Sequence, residues 1–314
     1  MVGYTISMVE AIEIGPLMIW THLIFLLVGV WLSTEFGFRL AEGSHLSLHH
    51  FQQYGRWYAG AFILGGRGIA VLADYRVYLR NLLRFFIIWD GNFSFLGGAI
   101  GVGIVLFVVT REHRSTFLQW LDVLVPSAAL GIGFDWLGKL SAGQAYGKPT
   151  DMPWGVVYDS MSVRYTVPVH PVQLYYVLFF LLLTFALLIV RKYARRAGTE
   201  TLVGVISAAS AVLVFENFRG DFGIPVFAVL TDFLILLFIF GSAGFLIPHV
   251  RSVSPMVLLG WGGVAVLAVV LYLAIRGTVN VPAVELRMSQ FLAVLSFLAI
   301  VVYVVVHRYQ HPHV

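Results

Sequence analysis

The sequence predicts an all-α polytopic membrane protein with about nine transmembrane helices. Composition is the first observation behind this. Of 314 residues, 59% are apolar and 11% are charged, where a soluble domain is usually about one quarter charged. Mean hydropathy, +0.87, is the second. The third is segmentation, because the apolar residues gather into runs of about 20, enough to cross roughly 30 Å of hydrocarbon. The same figures exclude disorder and argue against a soluble enzyme. With no cysteine, a disulfide scaffold, a cysteine-ligated metal and a catalytic cysteine are excluded too. The isoelectric point near 9.3 does not mark a nucleic-acid binder, since the basic residues are spread thinly. A positively charged inner face accounts for the same sign.

The expected spans run in order from Leu17 to Phe38, Trp57 to Leu72, Ser94 to Thr110, Phe117 to Leu140 and Val172 to Val190. They continue with Leu202 to Phe218, Pro225 to Leu246, Met256 to Ile275 and Leu292 to His307. The second, third and fourth are rich in glycine, which in a membrane marks close helix packing. Glu10 and Glu13 precede the first run with no Lys or Arg before it, so that run is expected to be retained, not cleaved as a signal peptide. Arg111 and Arg114, then Arg191, Lys192, Arg195 and Arg196, then Arg251 and Arg308 fall on one face if the spans alternate. These short basic loops put the N-terminus outside and the C-terminus in the cytoplasm. Two non-spanning segments then lie outside. In Asp74–Ile88, Arg76, Arg80 and Arg84 form one stripe of an interfacial helix. Ser141–Val169 is the longest polar stretch, and such loops are usually functional or flexible.

Ionisable groups inside apolar spans are costly unless paired or hydrated. His22 lies early in span one. Arg67 lies inside span two, in Gly65-Gly66-Arg67-Gly68, where the glycines let a backbone or ligand approach the guanidinium. Its planar fork suits a phosphate; the plainer reading is a pair with a carboxylate on a neighbouring helix. Asp122 and the pair Asp135 and Lys139 lie on span four, Glu216 and Arg219 end span six, and Asp232 lies in span seven. Asp135 with Lys139 and Glu216 with Arg219 have the spacing of local helix ion pairs. His170-Pro171 opens span five ahead of Gln173-Leu174-Tyr175, with proline in its favoured first turn; His170 either caps that helix or meets a ligand at the interface. No metalloprotease, nucleophile-elbow or phosphate-loop motif is present. Gly97-Gly98-Ala99-Ile100-Gly101 is better explained by helix packing.

Taken together, these strings resemble the bacterial prolipoprotein diacylglyceryl transferases over residues 12–246. Ile14-Gly15-Pro16, Gly65-Gly66-Arg67, Trp89-Asp90-Gly91 leading to Gly97-Gly98, the spaced Gly138, Gly143 and Gly147, His170-Pro171 with Gln173-Leu174-Tyr175, and Glu216 with Phe218-Arg219 occur in the family's order. The resemblance implies a seven-helix core in residues 1–250 and a two-helix extension in 251–314. It implies transfer of a diacylglyceryl group from phosphatidylglycerol, or another anionic phospholipid, to the lipobox cysteine of a prolipoprotein in the bacterial inner membrane. It implies no cofactor, no metal and no nucleic-acid partner. Such a transfer needs a base for the thiol and fixed cations for the phosphate, and among the residues present His22, His170 and Glu216 are candidates for the base. Arg67, Lys139, Arg219, Asp90, Gly97, Gly98, Gln173 and Tyr175 become candidates for the headgroup site.

Departures from the family pattern accompany the matches. Leu96 stands where the family has His, Trp136 where it has Arg, Lys139 where it has Asn, Gln144 where it has Glu, Val212 where it has Arg and His22 where it has Tyr; the Gly-Gln pair of span seven is absent. Two other readings therefore stay open: a member that kept the fold without the activity, serving as a lipid-binding subunit of a membrane complex, and a transporter.

Overall fold

The computed structural model describes residues 4–7, 11–14, 17–73, 81, 83, 93–110, 114–159, 163–221, 225–246, 254–275 and 283–310. Asp90, the stripe of Arg76, Arg80 and Arg84, the Gly15-Pro16 pair, and Arg111 and Arg251 lie outside these residues. Two compact units form, Met1–Phe222 and Gly223–Val314.

Among the described residues the first unit holds six α-helices: α1 Thr21–Gly43, α2 His49–Ala73, α3 Phe95–Thr110, α4 Arg114–Ser141, α5 Val172–Tyr193 and α6 Thr199–Phe215. The second holds α7 Leu230–Leu246, α8 Pro255–Ile275 and α9 Met288–Gln310. Among the described residues, five helical stretches are long and apolar enough to cross a membrane: Thr21–Gly43, Thr116–Ser141, Val172–Tyr193, Thr199–Phe218 and Met288–Val305. The protein is mostly helical, consistent with an all-α membrane protein, and short strands accompany the helices among the described residues. Leu17–Trp20, read as the start of span one, is a strand (β3) paired antiparallel with β2, Ala11–Ile14. Tyr4–Ser7 (β1) lies parallel to Val156–Asp159 (β4). In the second unit Pro225–Val229 (β5), read as the start of span seven, pairs antiparallel with Ala283–Arg287 (β6). Apolar strands of four or five residues cannot be told from helix ends by hydropathy alone.

Small residues bring the helices of the first unit together. Gly29, Ser33, Gly37 and Ala41 form a buried stripe on α1 at the one-turn spacing that lets membrane helices approach. Ser33 Oγ donates to the Ser127 carbonyl of α4 at 2.7 Å, and a side chain at Gly29 would collide with Phe134. On α3, Gly97 and Gly101 lie against the backbone of Gly65 and Ala61 of α2, and Gly98 lies under the Phe62 ring. On α5, Val172, Tyr176, Val177, Phe180, Leu183 and Leu187 make the seam of the main core, the spacing of one helix face.

Asp122 of α4 closes the opposite end of this unit. Its carboxylate accepts from the Gly198 N–H at 2.6 Å, the Thr201 N–H at 2.8 Å and the Thr201 hydroxyl at 2.7 Å, so α4 caps the first turn of α6. Arg191 bridges them, donating to the Asp122 carbonyl at 2.8 Å and to Glu200 at 2.9 Å. Asp122→Ala is expected to lower stability by about 2 kcal/mol, a lost cap together with buried N–H groups left unpaired. Thermal unfolding in detergent measures this; an unchanged midpoint would reject the cap.

Ser141–Val169 is not an unstructured loop. Tyr146, Val156, Tyr158, Val163 and Val169 form a small core of their own. Gln173 ties that core to α5: its amide donates to the Gln144 carbonyl at 2.7 Å and accepts from the Tyr158 hydroxyl at 3.0 Å.

Candidate active site

Cross-contacts show that the starts of α1, α3 and α5 share one end of the first unit with the ends of α2, α4 and α6. Gly138 near the end of α4 packs on the His22 backbone of α1, Gly65 near the end of α2 meets Gly97 of α3, and Tyr176 of α5 meets Glu216 after α6. His22, Arg67, Gly97, Gly98, Lys139, His170, Gln173, Tyr175, Glu216 and Arg219 therefore all belong to that end. The candidates are scattered over two hundred residues of sequence and converge because the helices alternate.

The tightest group is built on Arg219. A short 3-10 turn, Glu216–Phe218, swings the chain off α6 so that the guanidinium returns over Glu216. Arg219 Nη1 donates to both Glu216 oxygens at 2.9 and 3.2 Å, and Nε donates to Asp221 at 3.0 Å. Glu216 is almost wholly buried and also accepts from the Tyr176 hydroxyl at 3.1 Å. Burial by itself would disfavour the Arg219 charge, but the two carboxylates outweigh it and hold the group above its ordinary value. The sequence reading paired Arg219 with Glu216 and missed Asp221; its signal was a carboxylate two residues on.

Trp136 is the plate under this group. Its ring stacks on Tyr176 with centroids 3.9 Å apart and planes 10° from parallel. Lys139 Nζ sits 4.4 Å from the ring centre and the Arg219 guanidinium carbon 6.0 Å from it, within reach of cation–π attraction. Lys139 also pairs with Asp135 at 2.7 Å. The position where the resemblance expects an arginine thus holds a ring that faces two cations. Leu96, in place of the expected histidine, is 45% exposed, and Val212 packs on the core cluster, so neither supplies a substitute polar group.

His170 lies beside this group without capping α5. The N-cap is Pro171, with no side-chain cap bond, because the His170 ring turns to Tyr175, with Nδ1 and the hydroxyl 3.0 Å apart. Trp154 Nε1 donates to the same hydroxyl at 2.8 Å. A side chain at Gly147 would run into the His170 backbone, so this glycine sets the close approach of loop and helix start. Partial burial lowers the His170 pKa below its ordinary value, which favours the neutral ring.

A cavity of about 620 Å³ opens between α1, α2, α3 and α4, walled by Leu26, Val30, Phe62, Leu106 and Trp120, with His22 among its lining residues. That volume is in the range of small-molecule sites. The buried His22 Nδ1 has no hydrogen-bond partner among the described residues, a costly state unless a ligand or proton completes it. Arg67, 2% exposed, lies one turn beyond Ile63, another wall residue. Among the described residues no group of three or more His, Cys, Asp and Glu is placed to hold a metal.

Comparison with known proteins bears on this arrangement. A family model described as prolipoprotein diacylglyceryl transferase matches residues 9–306. A phosphatidylglycerol–prolipoprotein diacylglyceryl transferase of Legionella pneumophila is 31% identical over 221 residues, 67% of this chain and 82% of the relative. One of Agrobacterium fabrum is 30% identical over 218 residues, 67% of this chain and 70% of the relative. One of Pseudomonas fluorescens is 32% identical over 169 residues, 52% of this chain and 62% of the relative.

Proposed function

The chain belongs to the prolipoprotein diacylglyceryl transferase family, and we propose that it transfers the diacylglyceryl group of phosphatidylglycerol to the cysteine of a prolipoprotein lipobox. The observation that supports this most is an apolar cavity with His22 among its lining residues, in a unit whose same end carries Arg67 and Lys139. Acyl chains lie in the cavity and the headgroup phosphate meets Arg67 and Lys139, whose charge stabilises the departing phosphate. The peptide thiol gives its proton to the unpartnered nitrogen of His22. Its sulfur attacks the glyceryl carbon, forming the S–C bond as the C–O bond to phosphate breaks, and glycerol phosphate leaves with the electron pair. Glu216 is held by Arg219 and Tyr176 and serves as a clamp more than as a base. Gln173 fastens the loop over the site. No residue of this site lies in 251–314.

The base assignment has a pH signature. His22→Gln is expected to lose most of its rate at neutral pH and to recover as pH rises through the thiol's own pKa near 8.5, read as thioether product in phosphatidylglycerol vesicles carrying a lipobox peptide. A variant with the wild-type pH profile would remove His22 from that role.

The protein is a multi-pass protein of the inner membrane. We place the site end outside and the Asp122 end in the cytoplasm, supported by the exposed Lys192, Arg195 and Arg196 beside the latter. With no native cysteine, single cysteines report this cleanly. Met152→Cys should react with an impermeant maleimide in spheroplasts, and Arg196→Cys only after permeabilisation; the reverse pattern would invert the topology.

One observation favours a second reading, a family member that binds lipid as a subunit of a complex without turning it over. The Arg219 fork is occupied by the chain's own carboxylates, leaving fewer cations for a headgroup. Absence of product, with a stoichiometric partner retained through mild purification, would select it.

A further inference from the structure

Trp154, Tyr175 and His170 form a chain of hydrogen bonds whose direction can be assigned. An indole N–H only donates, so the Tyr175 oxygen accepts from Trp154 at 2.8 Å. The hydroxyl keeps one proton to give. Among the described residues its only acceptor is His170 Nδ1, at 3.0 Å. Were Nδ1 to carry a proton instead, Tyr175 would accept twice and its own proton would have no protein partner. The neutral ring therefore carries its proton on Nε2, for which the described residues supply no acceptor. The Gly147 backbone and the Phe218 ring, 5.0 Å from the imidazole centre, fix the ring's place. Trp154 itself is half exposed at the loop surface, and neither the sequence motifs nor the proposed transfer gives it a role.

We propose that Trp154 is a positioning residue. Through Tyr175 it holds neutral His170 as the Nε2–H tautomer, so that the ring meets a phospholipid phosphate oxygen as a hydrogen-bond donor and not as a proton acceptor. The donor function rests on the lipid-headgroup reading of this end; the tautomer rests on the hydrogen bonds alone. It also separates the two histidines, since His170 has its basic nitrogen occupied and His22 does not.

The test is nitrogen NMR of 15N-histidine protein in phosphatidylcholine nanodiscs, with the His170 signals assigned by their loss in His170→Gln. Wild type should show one tautomer, with Nε2 protonated and Nδ1 displaced from the position of a free imine nitrogen by its bond to Tyr175. Trp154→Phe, at an exposed position, should move the tautomer ratio toward Nδ1–H by roughly fivefold, the size of one neutral hydrogen bond. Tyr175→Phe should return Nδ1 to its free position. Exchanging phosphatidylcholine for phosphatidylglycerol should shift Nε2 in wild type. A proton on Nδ1 in wild type, or a Trp154→Phe spectrum identical to it, would overturn the positioning role. An Nε2 signal unmoved by phosphatidylglycerol would overturn the donor role. Neither peptide nor turnover is needed, so a failed transfer assay and a failed tautomer assignment are separate results.

Discussion

Arg67→Ala is expected to reduce diacylglyceryl transfer by about 10²–10³-fold, the loss that follows removal of one fixed donor to a developing anion. Arg67 is 2% exposed on a helix that the chain can bring this close to α3 only because Gly65 faces Gly97 and Gly66 faces Phe93. On the proposed reading its planar guanidinium engages the headgroup phosphate of phosphatidylglycerol during turnover. Arg67→Lys keeps the charge as a point and loses the planar fork, so it should fall between wild type and alanine. The rates are initial velocities of thioether formation in phosphatidylglycerol vesicles, read alongside thermal unfolding to separate folding from chemistry. Alanine protein that unfolds at the wild-type temperature and turns over at the wild-type rate would remove Arg67 from the site.

Arg219→Ala should cost about 3–5 kcal/mol of stability, because it strands buried Glu216 without its counter-charge. The Glu216 side chain is 1% exposed and also accepts from the Tyr176 hydroxyl. Replacing the pair together, Arg219→Leu with Glu216→Leu, should regain most of that loss, since two apolar side chains leave no uncompensated charge. Denaturation in detergent gives both numbers. The same double variant separates clamp from phosphate ligand: a clamp predicts activity that follows the recovered stability. A stable protein without activity would return Arg219 to the headgroup.

The five long apolar helices were legible because hydropathy marks a continuous run of residues that water does not enter. The ion pairs Asp135–Lys139 and Glu216–Arg219 were legible because three- and four-residue spacings fix contacts within one turn. Contacts set by chain reversal were not. Asp221 reaches Arg219 only because the chain leaves the helix at Phe218. Trp154 reaches Tyr175 across a loop whose small core of Tyr146, Val156, Tyr158, Val163 and Val169 has no period to read. The strands at Leu17–Trp20 and Pro225–Val229 read as helix ends in the sequence because their residues are as apolar as the spans they precede. Trp136 read as a lost charge; the structure shows a ring stacked on Tyr176 that keeps two cations over its faces.

The central claim is transfer of the diacylglyceryl group, and its most direct measurement is a mass balance. Purified protein in vesicles of phosphatidylglycerol, given a lipobox peptide, should form thioether-linked diacylglyceryl peptide and release glycerol phosphate in equal amounts. The same vesicles made from phosphatidylcholine should yield neither. Absence of both products under conditions where the Legionella pneumophila relative makes them would contradict the account.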